Sequence, residues 1–166
     1  MSFFKSLFSK QRRSPGADFS EPQRDPEAEK LVRRIFGAVT ADNPYGEVVH
    51  NPYGGDDEAR QMDELVAMGD RAARALGHAL KARTNSFTAE GMIACLGRIG
   101  SDQAARELGR VLAMPDDNTM ETMRTYEAAV HTLMKIGSPV ADDELTHARS
   151  GPAAAYVKAI HRPKVP

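Results

Sequence analysis

The chain has 166 residues and a formal net charge of −1, which gives about one domain's length and no bulk attraction for nucleic acid or anionic membrane. Its single cysteine, Cys95, excludes an internal disulfide and a cysteine metal cluster, and no apolar run approaches the ~18 residues of a bilayer span. With six Phe, four Tyr and no Trp, the core must be built from Leu, Ile, Val, Met and Ala, a composition suited to closely packed helices. The start of the chain lacks the apolar run and small-residue cleavage site of a secretory signal, so a cytoplasmic location is expected.

Residues 1–13 form a short unit of their own. On a helix, Phe3, Phe4, Leu7 and Phe8 share one stripe, Lys5 faces away, and Lys10, Arg12 and Arg13 add positive charge just beyond. Such a segment either touches a membrane surface, which would make the protein peripheral to a membrane, or docks its phenylalanines on a partner or on the body. At roughly two turns it is too short to be stable alone, given the unfavourable nucleation of a helix. Residues 14–25 are rich in Pro and polar groups and carry no period, which reads as a flexible linker.

Asp25-Pro26-Glu27 supplies a cap, a proline at the first helical position and an acid in the first turn. Ala28, Leu31, Val32, Ile35, Phe36 and Val39 then recur at spacings of three and four, so the leading helix is expected over residues 26–42. Residues 43–57 contain Asn-Pro-Tyr-Gly twice, at Asn43–Gly46 and Asn51–Gly54, and each copy suits a type I turn. The two tyrosines, Tyr45 and Tyr53, are candidate loop contacts for a partner; otherwise they cover the open end of the helical body.

From Asp57 the chain repeats. Met62, Leu65 and Met68 precede Gly69 by seven, four and one residues; Ile93, Leu96 and Ile99 stand in the same way before Gly100, and Val130, Leu133 and Ile136 before Gly137. After the glycines, Ala72, Ala104 and Ala141 align, as do Leu76, Leu108 and Leu145, if the first unit is one residue short. A glycine without a Cβ closes one helix in the left-handed conformation, and Ser101 or Ser138 caps the next. The loop Met114-Pro115-Asp116-Asp117 accounts for the longer second spacing, with Asn118 and Glu121 expected as a capping box for the helix that follows. Residues 151–166 are read as a capping helix and a tail: Gly151-Pro152 opens a short last helix with Tyr156, Val157 and Ile160 inward, before the tail at Pro163 to Pro166.

Columns that recur in three units mark helical hairpins that bury their open faces only against their neighbours. The phrase Leu-x-x-Ile-Gly-Ser, followed by an Ala and a Leu four residues on, resembles the HEAT-like repeat, in the short form also found in phycobilisome lyase subunits. The resemblance covers about residues 57–150. It implies an all-α fold, a right-handed α-solenoid of about three HEAT-like hairpins plus flanking helices. It also implies that the second helix of each hairpin lines a concave binding face. The partner-binding residues would then be Arg71, Arg74, His78, Lys81, Arg106, Arg110, Asp143 and His147, basic over two repeats and acidic at the C-terminal end. Guanidinium groups bind carboxylates bidentately, so the expected partner is another protein, one with an acidic segment.

No catalytic residue, metal ligand or cofactor is expected. The five histidines, His50, His78, His131, His147 and His161, show no metal-ligand spacing. Cys95 sits beside Leu96 on a core helix, where a small buried hydrophobe fits better than a nucleophile. The glycines are read as helix ends, which leaves no phosphate-binding loop. A lyase-like or chaperone-like accessory to a cofactor-bearing protein is the alternative. A nucleic-acid binder fits less well, since few phosphates could be neutralised and binding would be weak and salt-sensitive. The expected function is that of a non-enzymatic adaptor or regulator.

Overall fold

The computed structural model describes residues 24–37, 56–81 and 86–161, with the side chains of 56–58 and 86–87 excepted. The expected N-terminal helix with Phe3, Phe4, Leu7 and Phe8, the two Asn-Pro-Tyr-Gly turns with Tyr45 and Tyr53, and Val39 lie outside the described residues. Among the described residues there are eight helices and no strand: α1 Pro26–Phe36, α2 Asp56–Ala67, α3 Asp70–Leu80, α4 Ser86–Ile99, α5 Asp102–Leu112, α6 Met120–Ile136, α7 Pro139–Ala148 and α8 Ala154–Ile160. None of these helices is long and apolar enough to cross a membrane.

The ends of the helices follow from local chemistry. Asp25 caps α1 by accepting from the backbone N–H groups of Glu27 and Ala28, with Pro26 at the first helical position. The helix closes at Phe36, sooner than its apolar spacing suggests, because Gly37 leaves the helical region at φ 78°. Gly100 and Gly137 take φ values of 64° and 62° and end α4 and α6. Ser101 and Ser138 then accept from the N–H groups of Ala104 and Ala141, which starts α5 and α7. Gly69 also has positive φ, at 59°, but it serves as the N-cap of α3 itself, which is why the first unit is one residue short.

The cap of α6 departs from expectation. Asn118 sits at φ 57°, away from the extended backbone from which Asp25, Ser101 and Ser138 cap with their side chains, and the helix is capped one residue later by Thr119, whose hydroxyl accepts from the N–H of Thr122. Asp117 braces this start through the hydroxyls of Thr119 and Thr122. The expected box of Asn118 with Glu121 is therefore not formed.

The helices fall into two rows. α1, α3, α5 and α7 pack side by side in chain order, α2, α4, α6 and α8 do the same, and each helix of one row also touches members of the other. The aligned columns are the inward positions: Leu65, Leu96 and Leu133, Ala72, Ala104 and Ala141, and Leu76, Leu108 and Leu145 are all fully buried. Small residues dominate the odd row, where Ala73, Ala75, Gly77, Ala105 and Gly109 are buried. The even row supplies bulk through Met92, Ile93, Tyr126 and Val130. At the end of that row Val157 is buried, and Tyr156 meets Tyr126 edge-on with ring centroids 5.6 Å apart.

Candidate functional site

With Ala72, Ala104 and Ala141 and the leucines four residues later held inward, helical geometry turns the positions two and six after each alanine outward. Those positions are Arg74 and His78 on α3, Arg106 and Arg110 on α5, and Asp143 and His147 on α7. All are exposed except Arg74, which is half-buried. The row of helices thus gathers six of the eight expected residues on one face. Arg71 and Lys81 lie at the two ends of α3, both exposed.

Two of the cations on this face are already engaged. Arg71 reaches across to α1 and donates to Asp25 and to Glu27 at 2.7 Å. The guanidinium beside Asp25, with the N–H of Ala28, lowers its carboxyl from 3.8 to about 2. Arg71 therefore ties α1 to α3 instead of standing free. Arg110 donates to the carboxylate of Glu107, three residues earlier. His78 accepts at Nε2 from Arg24, 3.0 Å away, which assigns the ring proton to the other nitrogen in this arrangement. Arg24 and Asp25, the last residues of the expected linker, thus belong to the α1–α3 contact. Arg74, Lys81 and Arg106 make no ion pair among the described residues.

The sequence reading missed the acids beneath the face. Glu107 is only 2% exposed, and its carboxylate accepts from Gln103 at 2.7 Å as well as from Arg110. Its side chain lies over Gly77 of α3, so close that an added Cβ there would be 2.2 Å from the carboxylate oxygen. Glu144 of α7 lies over Gly109 of α5 in the same way, at 1.9 Å. Burial raises the Glu144 carboxyl above its ordinary value, against the opposing pull of His147, Arg106 and Arg110. The signal was present: Glu107 and Glu144 share a repeat position, as do Gly77 and Gly109. The helix-end reading of the glycines does not extend to Gly77, Gly91, Gly97 and Gly109, which stand inside helices where a neighbour comes close.

Cys95 is fully buried, burial pushes its thiol up to about 11, and Sγ donates to Sδ of Met62 at 3.5 Å. A thiol held protonated in the core is inert packing. Among the described residues no group of three His, Cys, Asp or Glu is placed to hold a metal ion. A cleft of about 110 Å³ between α1, α3 and α4 is floored by Val32, Ala75, Ala79 and Met92 and rimmed by Glu29, Arg33 and His78. That volume is well below the ~300 Å³ at which small-molecule sites begin. No family model, curated protein or solved structure matches this chain.

Proposed function

We propose that this protein is a non-enzymatic adaptor, a right-handed α-solenoid of HEAT-like hairpins that holds an acidic segment of another protein on the face of α3, α5 and α7. The observation that carries this reading is the pair Arg74 and Arg106. These residues occupy equivalent places on consecutive helices and make no ion pair among the described residues, Arg106 acting on the Glu144 carboxyl only through its charge, while Arg71 and Arg110 are engaged within the fold. Guanidinium groups left out of ion pairs in a regular row suit a carboxylate brought by a partner. A cytoplasmic location belongs to the same reading.

The test is comparative capture under native conditions, followed by mass spectrometry, with wild type and the Arg74→Glu/Arg106→Glu double variant. Arg110 is left in place, because reversing its charge would set two carboxylates against each other at buried Glu107. The adaptor reading expects the specifically captured protein to be lost from the variant while its helical circular dichroism is kept. Equal capture by both forms would move the binding site off this face.

A further inference from the structure

Taking the adaptor reading as its basis, the geometry of the same face specifies the form of the partner. The outward residues make a grid of three steps and two columns: half-buried Arg74 and exposed His78, then Arg106 and Arg110, then Asp143 and His147. α3, α5 and α7 are neighbours in that order, so one step of the grid is one interhelical spacing of about 8–10 Å. Within each helix the two columns are four residues, or about 6 Å, apart.

A bound chain crossing the helices must present a charged group every 8–10 Å, all on one side. A β-strand does not, because residues three apart point to opposite faces, while residues two or four apart are about 7 or 13 Å distant. An α-helix matches the spacing with residues seven apart, at about 10.5 Å, but its diameter of about 10–12 Å exceeds the width between the two columns. A polyproline II chain rises about 3.1 Å per residue with three residues per turn, so every third side chain points the same way at about 9 Å intervals.

We propose that the partner segment is an acidic polyproline II stretch. Its acidic residues stand three apart opposite Arg74 and Arg106, and a basic residue three further on lies opposite Asp143. At the middle step, Arg106 meets one carboxylate, Arg110 beside it being held by Glu107. At the last step, Asp143 rejects a third acid and accepts a Lys or Arg.

The experiment is fluorescence anisotropy of the full chain with labelled peptides of equal charge composition at low salt. The first is proline-rich with Glu, Glu and Lys at every third position in that order. The second places Lys between the two Glu, an order that mismatches the face in either chain direction. A third is a helix-forming peptide with Glu, Glu and Lys seven residues apart. The expected result is that the first binds about ten-fold tighter than the second, and tighter than the third. Asp143→Arg should reverse the preference toward a peptide with three Glu. Equal affinity for the first two peptides, still weakened by Arg74→Glu/Arg106→Glu, would overturn the ordering and leave the acidic-partner reading standing. Tightest binding by the helical peptide would overturn the polyproline II form. Failure of every peptide to bind would overturn both.

Discussion

At the scale of single residues, the backbone is set by a few positions where chemistry leaves little choice. Gly100 at φ 64° favours a residue without a Cβ and disfavours a β-branched one, and Gly100→Val should lower stability by at least about 1 kcal/mol, read as a shift in denaturant midpoint. Asp25 does two things at once, capping α1 and receiving Arg71 from α3. Its carboxyl is lowered from 3.8 to about 2 in the folded chain. The stability it contributes is therefore fully present above the unfolded value and is lost as pH falls from about 4 toward 2. Asp25→Asn keeps a competent cap but removes the charge, so its stability should fall less steeply than wild type between pH 4 and 2. Parallel steepness in the two forms would show that Arg71 is not tied to the Asp25 charge. Tyr126 is a third such position, buried with its hydroxyl donating to the carbonyl of Met114. Tyr126→Phe leaves that carbonyl without this donor and should cost about 1–2 kcal/mol in chemical unfolding.

At the scale of helices, the contacts between neighbours in the odd row are governed by acids seated on glycines. Gly77→Ala should destabilise by about 1–3 kcal/mol, because Glu107 is pinned from both sides by Gln103 and Arg110 and cannot swing away. Combined with Glu107→Ala, the same change should cost measurably less, a coupling that a double-mutant cycle reads directly. Gly109→Ala should be milder than Gly77→Ala, since Glu144 is only half-buried and makes no ion pair among the described residues. Equal costs at the two glycines would contradict that distinction.

The helices themselves were legible in the chain. The columns of Ala and Leu named the buried positions, and the Gly-Ser phrases named the junctions, because burial and capping are local demands that leave periodic traces. Three features were not legible, for physical reasons. Thr119 and Asn118 are both competent caps by type, and only the left-handed turn at Asn118 decides between them. α1 ends at Gly37 although Val39 extends its apolar spacing, since a glycine can end a helix wherever its φ turns positive. A glycine inside a helix reads as a weak spot until the neighbour that needs the space is known, and Glu107 and Glu144 come from the next unit along the row.

At the scale of the whole molecule, the account turns on which row of helices meets the partner. The α3–α5–α7 face carries Arg74 and Arg106 outside any ion pair among the described residues, whereas the even row exposes three methionines of α6, Met120, Met123 and Met134. Sequence columns gave the residues of the first face, but they could not show that Arg71 and Arg110 are occupied, since Asp25 and Glu107 reach them through contacts between helices and between turns of one helix. One nuclear magnetic resonance titration separates the two faces, using the full chain with labelled arginine side chains and methionine methyl groups and adding an acidic peptide. The adaptor account predicts that the Nε–H signals of Arg74 and Arg106 shift in proportion to bound peptide while the methyl signals of Met120, Met123 and Met134 stay in place. Shifts confined to those methyl groups, with both arginine signals unmoved, would contradict it.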